Sequence, residues 1–238
     1  NDGTVTEITV TSSTSLESIV PATIPPTTIQ IRPEFQVDSS RGANVRWDPC
    51  DGPITVAINY GTASALDSQN VTAWVTEALN DITRESGLEF LFAGATDRVP
   101  KNVYRDGRKG GSAILIGILK PGESGSTVIK TGDDYGFGIS TSVNNPVSGS
   151  QWTPLEAGDF QLNPKYNVDE GQVRRLLLRA IGLNFIVKGP YAQANDLMVM
   201  TENNDGSGTI IPKKVSAEWG PGDILGMKAV GATNGCIG

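Results

Sequence analysis

The stretch DEGQVRRLLLRAIGLNF, residues 169–185, decides the fold of this chain. Asp169 is a good N-cap, because its short carboxylate can accept from the free N–H groups of a first helical turn. Val173, Leu176, Leu177, Ala180 and Ile181 follow at intervals of three and four residues, which sets them on one face of a helix. Gly182 supplies the stop. Such a face needs something apolar to lie on, and the sequence on either side offers it.

Upstream, ITVAINY (54–60), LEFLFAG (88–94), AILIGIL (113–119) and GDFQLNP (158–164) read as strands, with a shorter one at GFGIS (136–140). AILIGIL is apolar enough to be central in a sheet. Between the first two strands, Val71, Trp74, Val75, Ala78, Leu79 and Ile82 have helical spacing, with Ser68 or Asp67 as N-cap and Gly87 as C-terminal stop. Downstream, GPGDILGMKAVGA (220–232) reads as a short helix with Asp223 near its start. Residues 121–151 are glycine-rich and read as surface loops. Residues 1–44 are dense in Thr, Ser and Pro and read as an extended arm, in which Thr4 to Val10 alternates like a short strand. The expectation is a mixed α/β domain after the arm, containing the 169–182 helix.

Composition excludes several functions. The chain has 238 residues and no histidine. Serine and cysteine nucleophiles paired with histidine are therefore absent, and any metal site must use carboxylates, hydroxyls or backbone. A formal net charge of −7 argues against sequence-independent binding to nucleic acid or to anionic lipid. No run approaches the roughly eighteen apolar residues of a membrane-spanning helix, so direct membrane insertion is not expected. The chain opens neither with Met nor with a signal peptide, which suggests removal of a precursor segment. Cys50 and Cys236 fit either one disulfide or two buried thiols.

The remaining polar groups have ordinary explanations. Asp133 with Asp134, and Asp169 with Glu170, are neighbours that read as solvated charge. ENNDGSG (202–208) offers oxygen ligands for a structural calcium ion, yet lacks the regular spacing and distal Glu of an EF-hand loop, so a plain turn explains it more simply. A Ser and Lys catalytic pair has no spacing that singles it out. Asn70 begins a glycosylation sequon at a helix start.

Several local sequences, in order, carry a resemblance. RWDPCDGPITVAINY (46–60), WVTEALNDITRESGLEF (74–90), AILIGIL, GDFQLNP, NDLM (195–198) and EWGPGDILGMKAVGATNGC (218–236) together resemble the matrixin-like metzincins, zinc peptidases, as found in secreted bacterial and especially actinobacterial proteins. The resemblance covers about Val45 to Gly238. It implies an α+β, zincin-like domain over 45–238 with a twisted mixed sheet, an active-site-type helix and a small C-terminal subdomain, together with a disulfide between Cys50 and Cys236, Met198 in a methionine turn, and AILIGIL with Ile114 and Ile116 bordering a substrate cleft. It breaks at the motif HExxHxxGxxH, where three His bind zinc and Glu is the general base. Here the string is RLLLRAIGLNF: Arg175, Arg179 and Phe185 stand at the ligand positions and Leu176 at the base, while Gly182 is kept. Guanidinium has no acceptor lone pair.

The expectation is therefore a pseudoenzyme without catalytic or metal-binding residues, secreted or on the surface of a bacterial envelope. It would act as a protein-binding or accessory subunit of a membrane or cell-wall complex, engaged partly through the arm. Arg175 and Arg179, four apart on one helix, would face the old cleft, either as a clamp for carboxylates or as ion-paired filling beside Phe185. The competing expectations are a hydrolase with a non-histidine site and a purely structural surface protein.

Overall fold

The computed structural model describes residues 36–37, 44–61, 63–102, 112–129, 137–143, 147–165, 168–184, 186–187, 199–200 and 217–237, all within the compact unit Pro33–Gly238. In chain order the elements are β1 (Gln36–Val37), β2 (Asn44–Arg46), β3 (Ile54–Asn59), α1 (Ala65–Ser86), β4 (Phe90–Ala95), β5 (Ile114–Ile118), β6 (Phe137–Val143) and β7 (Trp152–Leu162). They continue with α2 (Glu170–Ala180), β8 (Leu183–Asn184), β9 (Ile186–Val187), β10 (Val199–Met200) and α3 (Pro221–Ala229). The arm expected over 1–44 lies outside the described residues except for 36–37 and 44.

The domain is mixed α/β. Strands β2, β7, β5, β3 and β4 lie side by side in that order and are all parallel. β7 is long enough to pair twice along one edge, with β2 beside Trp152–Pro154 and antiparallel β6 beside Leu155–Leu162. The sequence reading found β3, β4 and β5 almost to the residue but saw only the second half of β7. Parallel neighbours β3 and β4 cannot be joined by a tight turn, and the 22-residue helix α1 makes the crossover.

The cap of α1 corrects the expectation of Ser68 or Asp67. Ser64 is the N-cap, with Oγ accepting from Asp67 N at 3.1 Å and its hydroxyl donating to Asp67 Oδ2 at 2.6 Å. The reciprocal bonding starts the helix earlier than the apolar period alone suggests. At the other end Gly87 is left-handed and its N–H donates to Thr83 O at 2.8 Å. One face of α1, from Val71 through Val75, Ala78 and Leu79 to Ile82, is buried in the core shared by α2 and the sheet.

The ends of the domain are fastened to each other. Cys50 and Cys236 form a disulfide across a sequence separation of 186, with Cα atoms 5.5 Å apart. Beside it, Arg46 Nη2 donates to Gly235 O at 2.7 Å, and Ile237 N donates to Asp48 Oδ2 at 3.2 Å. Arg46 is 1% exposed, with its guanidinium 5.1 Å from the Trp152 ring centre. Burial pushes its pKa down against the attraction of Asp48.

Cross-linking so long a loop mainly restricts the unfolded chain. The double substitution Cys50→Ser and Cys236→Ser is expected to cost about 3 to 5 kcal/mol of unfolding free energy, measured by urea titration of the oxidised protein and the variant. Coincident midpoints would refute this contribution.

Candidate functional site

Helix α2 begins as the sequence indicates, with Asp169 Oδ1 accepting from Gln172 N at 2.8 Å. Its surroundings differ from expectation. The helix is enclosed on nearly all sides, since Val173, Leu176, Leu177, Leu178 and Ala180 are buried and so are Arg174 and Arg175, each 4% exposed. Its C-terminal end is gripped by the strand segment next to the disulfide. Trp47 Nε1 donates to Ala180 O at 2.8 Å, and Gly182 turns at φ +97°, where an added Cβ would lie 2.5 Å from Val45 O. Gly182 is therefore required twice over, by its left-handed backbone and by the closeness of Val45.

Two adjacent arginines divide the polar chemistry of α2. Arg174, which the sequence reading passed over, anchors an ion network. It donates through Nη1 to Asp81 at 2.8 Å and through Nε to Glu170 at 2.9 Å, and it approaches Glu77 at 3.3 Å. Its guanidinium lies 5.0 Å from the Trp219 ring centre. Trp219 Nε1 donates to Asp81 Oδ2 at 3.2 Å, and Arg84 donates to Asp81 Oδ1 at 2.7 Å. Asp81 thus receives three donors from three parts of the chain. Burial alone would raise its carboxyl pKa, but the hydrogen bonds from Arg174, Arg84 and Trp219 outweigh that and hold it below its usual value. For Arg174 burial acts downward and is outweighed by Asp81 and Glu170, which raise it.

Arg175 lies in a different environment. Burial is the larger influence and pushes its pKa down to about 10, while Asp223 and Asp169 pull in the opposite direction. It is still a cation at neutral pH. Asp223 is 2% exposed and accepts from Gly220 N at 2.9 Å, so the charge facing Arg175 sits at the start of α3. Leu176 is 3% exposed and belongs to the hydrophobic core, and Arg179 is half-buried. Phe185, Met198, the stretch 195–198, Asp133, Asp134 and the candidate calcium loop 202–208 lie outside the described residues.

The expectation for Ile114 and Ile116 is corrected. Both are 0% exposed and belong to β5, which is hydrogen-bonded to β3 on one side and β7 on the other. A strand with both backbone edges occupied cannot accept a bound peptide. The outer strand beside β7 is β6, whose position was read from sequence as a short surface strand. Among the described residues, the group of metal-ligating types brought close together is Asp48, Cys50 and Cys236, and its sulfurs are joined in the disulfide rather than present as thiolates. What α2 offers chemically is fixed positive charge facing carboxylates, with no lone pair at Arg175 or Leu176 for a metal or a proton.

Asp81 has its pKa lowered by folding, so its contribution is complete above about pH 4, the unfolded value, and is lost as pH falls through the lower folded value. Asp81→Asn is expected to destabilise by about 2 to 4 kcal/mol at pH 7. The gap from the parent should narrow between pH 4 and pH 2, as followed by denaturant melts. A gap independent of pH would show that the carboxylate charge is not what matters. Gly182→Ala is expected to cost about 2 kcal/mol or more in the same melts, and a neutral result would remove the close approach to Val45 from the account.

No family model matches the chain, and no curated protein matches it in sequence.

Proposed function

We propose that this protein is a non-catalytic relative of the matrixin-like metzincins that works outside the cytoplasm as a protein-binding or accessory subunit of a bacterial envelope assembly. The observation that carries the proposal is the state of α2 at the positions aligned with the zinc motif. Arg175 stands at a ligand position as a buried cation attracted by Asp223 and Asp169, and Leu176 stands at the general-base position as a core residue. That arrangement favours ion-paired filling over an open carboxylate clamp.

Two further features support the same reading. A five-stranded parallel sheet carries one antiparallel strand, β6, beside β7, and an outer strand of a sheet can pair with an extended peptide by backbone hydrogen bonds without a metal. The disulfide is of the kind that persists in oxidising compartments. Among the described residues no helix is long and apolar enough to cross a membrane.

Metal analysis and a broad peptidase assay test the catalytic half of the proposal. The purified chain is expected to hold less than one zinc ion in ten molecules and to show no chelator-sensitive cleavage, on the chemistry that guanidinium and alkyl groups cannot ligate. Stoichiometric metal with chelator-sensitive turnover would sink it. Restoration tests the ancestry. The combined variant Arg175→His, Leu176→Glu, Arg179→His and Phe185→His should take up about one zinc and gain thermal stability from it. A folded variant that takes up none would count against a zincin-like frame.

A further inference from the structure

Strand β4 ends the sheet on the side away from β2, and among the described residues it pairs only with β3. The Glu89 carbonyl accepts from Ile54 N at 2.8 Å, and Thr96 N donates to Ile58 O at 2.8 Å, so the residues bounding β4 turn their main chain to β3. In a parallel ladder the backbone groups of successive residues point to opposite sides. A bulge interrupts that alternation at Ala93, because Val56 pairs with Phe92 and Ala57 with Gly94. Counted inward from each end, the N–H and C=O groups of Phe90, Phe92 and Ala95 point outward.

Proteins keep sheet edges unpaired with charges, prolines or bulges. The strand FLFAGA, residues 90–95, holds no charge and no proline, and its bulge leaves 90–92 regular. Phe90 and Phe92 pack half-buried against the core, while Leu91, Ala93 and Ala95 are exposed on the other face, Leu91 to 56%. Charge lies at the two ends of the strand instead. Glu89 and Asp97 are both exposed, and among the described residues neither carboxylate has a hydrogen bond or an ion pair. Arg98, the cation next along the chain, is half-buried with Nη1 closed off from solvent.

We propose that β4 is a docking edge for an extended segment of a partner protein, apolar at its centre and basic at its ends. The segment adds a strand beyond β4 and sets its cations beside Glu89 and Asp97. Charge decides which occupant suits this edge. A second copy pairing β4 with β4 in antiparallel fashion would bring Glu89 of each copy up against Asp97 of the other, and like charges across a ladder destabilise it. Residues 1–35 of the same chain carry Asp2, Glu7, Glu17 and Glu34 against Arg32 alone, so their charge has the wrong sign as well. A basic segment meets both carboxylates, and the net charge of −7 draws it toward the molecule. The edge shares no residue with α2, and its failure would leave the reading of α2 where it stands.

A titration of the full ¹⁵N-labelled chain with the peptide acetyl-KVTVTVK-amide, followed by amide shifts, tests the edge. Saturable shifts are expected at Phe90, Phe92 and Ala95. The same peptide with glutamate for both lysines should bind about tenfold or more weakly, since attractive pairs become repulsive. N-methylation of alternate peptide residues should abolish the shifts in at least one of its two phases, because pairing uses the peptide backbone. Leu91→Lys sets a charge on the exposed side of the strand and should weaken binding about fivefold or more with the spectrum still folded. Glu89→Gln combined with Asp97→Asn should weaken it about threefold or more. No saturable shift, equal affinity for the glutamate peptide, insensitivity to N-methylation in both phases, or full affinity in both variants would each overturn the proposal. So would shifts over 90–95 that grow with protein concentration alone, which assign the edge to a second copy, or coupled shifts over 4–10, which assign it to the chain's own segment.

Discussion

Asp81 and Arg174 form the contact on which the helical layer depends. Arg174 belongs to α2, Asp81 to α1, and Trp219 to the segment entering α3, so one carboxylate joins three pieces that are remote in sequence. Burying an ion pair gains little net energy, because desolvation takes back most of the Coulomb attraction. Its effect is on geometry. With Arg174 only 5% exposed in its side chain, sliding α2 against α1 by one turn would strand a guanidinium in the core, a penalty far larger than the loss of a few methylene contacts. The apolar faces of α1 and α2 can pack in more than one register. The ion network leaves one.

The sequence separation of these partners limits what is legible in the sequence. Apolar periodicity is a local property, and it revealed α1, α2, α3 and the strands β3, β4 and β5. Pairing is not local. Nothing in residues 74–82 or 170–180 says that Asp81 and Arg174 meet, and an arginine beside a leucine run reads as solvated when its partner lies ninety-three residues away. The start of α1 was misplaced for a related reason, since Ser64 acts through its exchange with Asp67 rather than through any apolar signal. The cleft was misassigned because AILIGIL was matched to a role by resemblance, although its own composition, apolar at every position but one, already described a strand with both sides covered.

Arg175 shows how far the candidate site could be read and where reading stopped. Its identity and its place on a helix with an apolar face were visible from sequence. Whether it was a clamp or a plug was not, because that depends on what faces it. The facing groups are Asp169, on its own helix start, and Asp223, which also caps the start of α3. A residue already bonded to Gly220 N and attracted to Arg175 is held from two directions, and it holds the terminal helix to α2.

That placement is one of several contacts that fix both ends of α2. Here each end of α2 is tied by groups that need no ion: Asp169 and the Arg174 network at its start, and Trp47 on Ala180 with the tight turn at Gly182 at its end. The disulfide and Arg46 then close the C-terminal residues against the segment of β2 and Trp47. Among the described residues, the helix is therefore held at both ends by contacts within the chain.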